Sequence, residues 1–264
     1  MHPTVHPDHE GVVQTVRGWI HGPHQGMGYR AERRRWGTYW STQRVYVEDL
    51  PVDHVDAFLA DLRDYYEDRP VYVNVDDRAL DADLGPALLE AGCVEDKIEV
   101  FLVHVGPVLA AQPVPGLRVE PVTESNLETF VETKLQGFAD DESQVAASDV
   151  AEEVAQRRAE LMGTARGRLA RMEGEPAGVI WWYEEDPDRF IVLMATRARF
   201  RRRGIAGWLL SDCLQRAYDE DFRSVMLNVR TDNEKALSLY HRLGFQDEVH
   251  WRHRYRLEAE PNSR

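Results

Sequence analysis

Hydrophobic and polar positions in the second half of the chain switch repeatedly between the period of a strand and the period of a helix. Short alternating apolar runs predict strands at 117–122, 168–173, 178–184, 189–196, 224–229, near 245 and at 251–257. Apolar residues spaced three and four apart predict helices that begin near Ser125 and cover 142–162, 206–217 and 234–243. Ser125 with Glu128 has the pattern of a capping box. This alternation predicts an α/β (α+β) domain built on a sheet.

The first half ends in a similar order of elements. Its apolar positions predict a helix between Val55 and Tyr66, a strand at 71–75, a short helix at 84–91 and a strand at 99–105. The segment RPVYVNV (69–75) resembles RSVMLNV (223–229), and AGC (91–93) then falls near LGF (243–245). These matches indicate a weak internal repeat, although two strand–helix–strand units can also resemble each other by chance.

A segment rich in proline and glycine separates the two halves. Residues 106–116 carry three prolines and two glycines between two strand-like runs, which is typical of a linker. The sequence therefore predicts two domains, residues 1–112 and residues 113–264.

Composition and charge disfavour two classes of partner. No apolar run reaches about 18 residues, so no membrane-spanning helix is predicted. The net charge is −14, with 10 Lys and Arg against 19 Asp and Glu in residues 1–112 and 22 against 27 in the remainder. Such a chain repels nucleic-acid phosphates over most of its surface. With only Cys93 and Cys213 present, no disulfide framework is implied, and we expect a cytoplasmic protein.

One local segment is strongly positive although the chain as a whole is negative. The stretch RARFRRRGIAGWLL (197–210) places five arginines around Gly204, directly after an apolar strand and before an amphipathic helix. A helix N-terminus has unpaired N–H groups and the positive end of the helix dipole, and glycine lets an anion approach the backbone. Phosphate binding is one interpretation; a solvated arginine run and a basic patch for nucleic acid are the alternatives. The strand–loop–helix setting favours phosphate.

Two motifs in this half resemble those of the GNAT superfamily of N-acetyltransferases. The family's pyrophosphate loop has the pattern Arg/Gln-x-x-Gly-x-Gly/Ala, which RRRGIA (201–206) matches with Arg201, Gly204 and Ala206. The segment NEKALSLYHRLGF (233–245) supplies the family's later positions in the same order, namely Asn233, Tyr240, Gly244 and Phe245. The resemblance covers roughly residues 117–257. It implies two GNAT-like modules in tandem, each a mixed, mostly antiparallel sheet flanked by helices.

The resemblance also implies an acetyl-CoA site. The strand end that pairs with the pantetheine arm corresponds to Met194, Ala195 and Thr196. Residues of the pyrophosphate loop correspond to Arg201, Arg202, Arg203, Gly204, Ile205, Ala206 and Gly207. Asn233 corresponds to a contact with the pantetheine or thioester, although a helix cap is the alternative role. Tyr240 corresponds to the acid that protonates the departing thiolate, with packing in the core as its alternative.

The implied reaction is direct transfer of an acetyl group to a primary amine. This chemistry needs a neutral amine, stabilisation of an oxyanion and a proton for the leaving sulfur. A tyrosine with a pKa of about 10 keeps its proton at neutral pH and can serve as that acid. The base that some relatives place five residues before Asn233 is replaced here by Asn228, so no base is assigned. A non-catalytic acyl-CoA sensor is the alternative function.

The first module is expected to be degenerate and to serve as a scaffold. It has no counterpart of the arginine loop: Gly26 and Gly28 are not framed by a strand and a helix, and Leu88 falls where Tyr240 would be. The expected partner is a small-molecule or peptide amine, with a homodimer as a further expectation and no nucleic acid or membrane. No metal is expected, because the histidines at 2, 6 and 9 lie in a terminal segment.

Three further segments have a predicted structural or functional role. The aromatic run at 181–183 is expected to be core rather than an acceptor pocket. The acidic stretch 48–68, with eight acids against Arg63, is expected to be a solvated helix face rather than a site for a cationic substrate. By family resemblance, residues 138–141 are expected to form a wall of the acceptor site.

Overall fold

The predicted alternation of strands and helices is present in the computed structural model, which describes residues 24–26, 29–36, 39–47, 49–66, 70–104, 106–109, 112–139 and 142–259. The strands are β1 (His24–Gly26), β2 (Tyr29–Trp36), β3 (Tyr39–Val47), β4 (Val71–Val75), β5 (Val94–His104), β6 (Leu117–Pro121), β7 (Ala165–Met172), β8 (Glu175–Glu185), β9 (Asp188–Thr196), β10 (Ser224–Arg230) and β11 (Phe245–Leu257). The α-helices are α1 (Val55–Tyr66), α2 (Arg78–Glu90), α3 (Leu127–Phe138), α4 (Ala147–Leu161), α5 (Ile205–Asp219) and α6 (Glu234–Arg242).

The described residues divide into two compact units. The first takes its residues from Met1–Phe101, Val229–Glu234 and Glu248–Arg264, and the second from Leu102–Asn228 and Lys235–Asp247. The predicted boundary between residues 112 and 113 therefore falls inside the second unit, and the last strand of the chain contributes to the first. Sequence order alone does not reveal that β11 contributes to the first unit, because this depends on the pairing of β11 with β4.

The first unit is built on a mixed sheet. Strands β1, β2 and β3 are antiparallel neighbours, whereas β3 lies parallel to β4, with α1 connecting the two. On its other edge β4 pairs antiparallel with β11, from Val75 opposite His253 to Val71 opposite Leu257. The valines of β4 pack into a core with the apolar stripes of both helices, which include Phe58, Leu59, Leu62, Leu84 and Leu88.

The second unit has an antiparallel meander followed by a parallel crossover. Strands β6 to β9 pair in sequence order as antiparallel neighbours, and β10 then joins β9 in parallel after α5. Helices cover both faces of this sheet, and successive residues of β8 face them in turn. Val179 and Trp181 share a core with α3, whereas a Cβ on Gly178 would contact Ile205 of α5. Trp181 is fully buried and Trp182 nearly so, which confirms their prediction as core.

Two predicted details differ from the structure. Thr123 and Asn126, instead of Ser125 and Glu128, form the hydrogen bond at the entry to α3, with the Thr123 N–H donating to the Asn126 amide oxygen at 2.8 Å. The cause is a 3₁₀ turn, Glu124–Asn126, that precedes the helix. The helix predicted over 142–162 is a separate 3₁₀ turn, Glu142–Gln144, followed by α4. Among the described helices, none combines the length and the apolarity that crossing a membrane requires.

Candidate functional site

Strands β9 and β10 separate part of the way along their length. Their parallel register begins with Asp188 opposite Ser224 and ends with Ile191 opposite Leu227, but β9 continues to Thr196. On its other side, β9 stays paired with β8 up to Thr196. Over Met194–Thr196, therefore, no pairing with β10 is present among the described residues, and one backbone edge of β9 is open. These are the residues that the sequence predicted as the strand end facing the pantetheine arm.

The start of α5 lies just beyond this open edge in the chain and presents a row of backbone N–H groups. Gly204 precedes the helix with φ of 82°, a left-handed conformation that favours glycine. Within the described part of the chain, the Arg201 N–H donates to Ala198, and the next backbone N–H that donates to a carbonyl is that of Trp208. The six amides at 202–207 are thus available to an anion, and the helix dipole favours negative charge at this point.

The five arginines of this segment differ in what they contact. Arg197 and Arg199 form ion pairs with Glu142 and Glu175, and Arg203 pairs with Glu173 at 3.0 Å. The guanidinium of Arg201 donates to the carbonyl oxygens of Thr196 (3.1 Å) and Gly137 (2.8 Å). Arg202 is exposed, and its side chain forms no ion pair or hydrogen bond with any residue that the structure describes. Of the five arginines in the predicted phosphate-binding segment, Arg202 is therefore the one whose side chain is open to a phosphate in the described structure.

These residues fit the diphosphate and pantetheine of acetyl-CoA. The left-handed turn at Gly204 strains any other residue, and a Cβ there would lie 3.2 Å from Cγ2 of Val114, a tight contact. The hydroxyl oxygen of Thr196 is buried without a hydrogen-bond partner at the open end of β9. A buried polar atom without a partner costs free energy, so this hydroxyl is suited to a ligand that supplies one.

Tyr240 lies in the last part of α6, half-buried against the ring of Phe245 at 5.9 Å between ring centroids. Burial raises the pKa of its hydroxyl to about 12. Within the described residues this hydroxyl has no hydrogen-bond partner. The group thus keeps its proton at neutral pH and holds it where no protein acceptor competes for it.

A buried histidine supports the end of α6 and was missed by the sequence interpretation. His104, 1% exposed, lies with its ring 5.4 Å from that of Phe245 and bonds the Tyr218 hydroxyl through Nδ1 at 2.7 Å. Burial lowers the pKa of His104, and a hydrogen bond to the Leu243 carbonyl opposes that effect. Only the tertiary fold brings this histidine to the Gly-Phe pair, so no local signal could have identified it.

Gly244 and Gly92 end equivalent helices of the two repeats and allow a matched test of this contact. Their φ values are 93° and 94°, but a Cβ on Gly244 would lie 2.9 Å from Nε2 of His104, whereas a Cβ on Gly92 meets nothing within 4 Å. We expect Gly92→Ala to lower the free energy of unfolding by about 1 kcal/mol, the cost of a left-handed alanine. Gly244→Ala should lower it by about 2–5 kcal/mol, because overpacking adds to that cost. Denaturant titration measures both, and equal losses would contradict the contact.

The first unit has a crossover, β3–α1–β4, with the same order of elements as β9–α5–β10, but the start of its helix is different. Helix α1 is preceded by the 3₁₀ turn Val52–His54, and its first turns carry the acids Asp53 and Asp56 instead of arginines. Strands β3 and β4 remain paired to their common end at Val47 and Val75. In the described part of this unit, therefore, β3 and β4 do not separate as β9 and β10 do, and the start of α1 carries no run of arginines.

The N-terminal amides of α2, the next helix of the first unit, are also occupied by a side chain. The carboxylate of Asp77 accepts from the first amides of α2, at 2.8 and 3.0 Å. Asp76 beside it is held by Arg252 at 2.6 Å and His250 at 2.9 Å. Burial alone would raise the pKa of Asp76, but these two partners keep it well below its usual value. Leu88, at the repeat position of Tyr240, is fully buried in the core.

The structure places the remaining predicted residues as follows. Asn233 is exposed and directly precedes α6, and its backbone N–H donates to Arg230 at 3.1 Å. Asn228, which replaces the expected base, lies on β10. The histidines at 2, 6 and 9 lie outside the described residues, and within those residues no cluster of metal-binding side chains occurs.

Sequence comparison identifies a matching family model and a related enzyme. Residues 127–245 match the model of the acetyltransferase (GNAT) family. A mycothiol acetyltransferase from Corynebacterium aurimucosum is 37% identical over 73 residues, which are 26% of this chain and 24% of that protein. The match thus spans about a quarter of the length of each protein.

Structural comparison extends the likeness to nearly the whole chain. A GCN5-related N-acetyltransferase from Kribbella flavida has a TM-score of 0.63 at 15% identity and covers 96% of this chain and 95% of its own. Another GCN5-related N-acetyltransferase, from Sphaerobacter thermophilus, has a TM-score of 0.62 at 18% identity and covers 88% of this chain and 76% of its own. A tandem GNAT protein from the clavulanic acid biosynthesis pathway has a TM-score of 0.57 at 14% identity and covers 95% of this chain and 89% of its own. At these identities the likeness shows the fold.

Proposed function

We propose that this protein, whose residues 127–245 belong to the acetyltransferase (GNAT) family, transfers an acetyl group from acetyl-CoA to a primary amine. The observation that carries the proposal is the row of free amides at 202–207, which follows the open edge of β9 in the same unit. A phosphate-binding helix start and an unpaired strand end are together suited to a ligand that has both a diphosphate and an amide-containing arm.

The amides at 202–207 would hold the diphosphate, with Arg202 as the side chain that adds charge. The open edge at Met194–Thr196 offers backbone groups to the pantetheine amides, and Asn233 is assigned a contact with the same arm. Acetyl-CoA supplies the activated acyl group as a thioester. We assign no metal to this reaction.

Tyr240 is assigned as the general acid. The amine nitrogen attacks the thioester carbonyl, the carbon–sulfur bond breaks, and the Tyr240 hydroxyl gives its proton to the departing sulfur. The amine's own proton leaves to water, because Asn228 stands where relatives carry a base and an amide side chain cannot accept a proton at neutral pH. The amine must therefore arrive in its neutral form.

We keep the acceptor at the level of a primary amine on a small molecule or a peptide. We place the protein in the cytoplasm, in keeping with its two buried, free cysteines, Cys93 and Cys213, whose pKa values burial raises to about 11 and about 12. Thiols that stay protonated and buried suit a reducing compartment. A homodimer stays an expectation and plays no part in the reaction.

Release of free CoA thiol over a panel of primary amines tests the proposed activity. Polyamines, aminoglycosides, amino acids and peptides would be offered with acetyl-CoA, and mass spectrometry would look for a product heavier by one acetyl group. We expect thiol release above background with at least one class of amine. Tight binding of acetyl-CoA without acetylation of any amine would favour the alternative, an acyl-CoA sensor on the same fold.

A further inference from the structure

We propose that Arg201, the first residue of the phosphate-loop motif, is a positioning residue that ties the end of α3 to the end of β9. It would not act as a ligand of the phosphate. The inference goes beyond the proposed function in one respect, because the tie is made between groups of the protein itself. Its consequence for cofactor binding rests on the proposed function.

The side chain of Arg201 already has two partners. Its Nε donates to the carbonyl oxygen of Thr196 at 3.1 Å and its terminal nitrogen to that of Gly137 at 2.8 Å. Thr196 is the last residue of β9, and Gly137 lies one residue before the end of α3. A carbonyl at a helix C-terminus has no partner within its own helix, so a guanidinium that reaches it also complements the negative end of the dipole.

The two elements joined by Arg201 approach each other unusually closely. A Cβ built on Gly137 would lie 2.8 Å from the Cβ of Ala195 and 3.3 Å from the backbone nitrogen of Thr196. Any side chain at 137 would therefore push α3 away from the strand that is assigned to the pantetheine arm. Glycine permits the approach, and the Arg201 guanidinium fixes it.

A second arginine ties the chain that follows α3 to the same strand end. Arg197, the residue after β9, donates two hydrogen bonds to one carboxylate oxygen of Glu142, at 3.1 and 2.6 Å. Arg197 also lowers the pKa of Glu142, so this carboxylate stays charged at neutral pH. Gly137 and Glu142, on either side of residues 140–141, are thus both held by arginines at the end of β9.

This arrangement links the phosphate loop to a surface that carries an exposed aromatic ring. Phe138, 61% exposed, is the residue that follows Gly137 and ends α3. Any anion that orders the loop after Arg201 restrains Thr196 and, through the guanidinium, the last turn of α3. Arg202, by contrast, has no such contacts, so it can respond to a phosphate without moving another element.

Hydrogen exchange of the ligand-free full-length protein tests the tie directly. Arg201→Ala should speed exchange in a peptide over 135–139, where the Ala139 N–H bonds Leu135, by about tenfold, because two charge-assisted hydrogen bonds are lost. Arg202→Ala is the matched control and should leave that peptide unchanged. Arg201→Lys keeps the charge but cannot reach both carbonyls as a fork, and it should show most of the effect even if the alanine variant is poorly folded. Unchanged exchange in a folded Arg201 variant would overturn the proposal.

Titration with CoA separates this inference from the proposed function. We expect Arg201→Ala to retain CoA affinity within about threefold but to lose the CoA-induced protection of 135–139. We expect Arg202→Ala to bind CoA about tenfold more weakly yet to show that protection at saturation. An Arg201→Ala variant that loses affinity as strongly as Arg202→Ala, with unchanged exchange when free, means that Arg201 is a phosphate ligand. If the wild-type protein fails to bind CoA, the proposed function fails, whereas the ligand-free comparison still decides the role of Arg201.

Discussion

Replacing Tyr240 by phenylalanine should lower turnover on the order of 10²–10⁴-fold while leaving acetyl-CoA affinity unchanged. The change keeps the ring and its contact with Phe245, 5.9 Å away, and removes only the proton donor. The hydroxyl has no hydrogen-bond partner in the described residues, so its removal should alter the free energy of unfolding by less than about 0.5 kcal/mol. Initial rates with an amine found in the panel, measured beside calorimetric titration with acetyl-CoA, check both parts.

The pH dependence follows from the same group. Because burial raises the pKa of Tyr240 to about 12, its hydroxyl keeps its proton well above the pH at which an ordinary tyrosine ionises. The wild-type rate should therefore rise with pH as the acceptor amine loses its proton, and it should not fall again near pH 10. A fall near pH 10 would indicate an exposed tyrosine with an ordinary pKa.

Tyr255 provides a matched control for the loss of a buried hydroxyl. It lies in the first unit, fully buried, and its hydroxyl donates to Asp81 at 2.7 Å. Tyr255→Phe should lower the free energy of unfolding by about 1–2 kcal/mol and leave turnover unchanged, the opposite of the result at Tyr240. Wild-type turnover in Tyr240→Phe would show that this ring only packs.

Replacing Gly204 by glutamate should weaken acetyl-CoA binding by about 100-fold or more. The substitution places a negative charge beside the amides at 202–207 and forces a side chain into a left-handed turn 3.2 Å from Val114. Loss of charge-assisted hydrogen bonds to a diphosphate accounts for that factor. Wild-type protein with acetyl-CoA at 100 times its dissociation constant should be stabilised by about 2.7 kcal/mol, and the variant should lose this shift.

Two further variants separate a local effect from a general one. Gly92→Glu introduces the same charge at a glycine with φ of 94° and open surroundings, so it should bind acetyl-CoA as the wild type does. Arg202→Glu reverses the charge in the loop without touching a glycine and should weaken binding even if Gly204→Glu folds poorly. Calorimetry should give one acetyl-CoA per chain. Two sites, one of them surviving Gly204→Glu, would make the first unit a working cofactor site.

Features that depend on neighbouring residues were predictable from the sequence. The strand, the arginine-rich loop and the helix after it form one continuous segment, so the setting of Gly204 could be inferred from spacing alone. The similar segments 69–75 and 223–229 indicated a repeat, and in the structure each contains a strand, β4 or β10, with a parallel neighbour. Local spacing also placed Tyr240 and Gly244 near the end of the same helix.

Features that depend on distant contacts were not predictable. Nothing in the local sequence of Arg201 distinguishes a guanidinium that reaches the carbonyl of Gly137, 64 residues away along the chain, from one that faces solvent. Likewise, His104 reaches Gly244 only through the tertiary fold. The charge of a segment is visible in its sequence, whereas the partner that neutralises each charge is a property of the packed structure.

The pairing of β11 with β4 has a consequence for the order in which the protein can be made. During synthesis, β4 leaves the ribosome well before its partner residues His253–Leu257 are translated. One edge of β4 therefore lacks its native hydrogen bonds until those residues emerge, and its valines lack the part of their core that Tyr255 and Leu257 supply. The first unit is thus completed only after all residues of the second unit have been translated. A ribosome that stalls within β11 leaves the first unit without its native edge at β4, although the loop at 202–207 has already been translated.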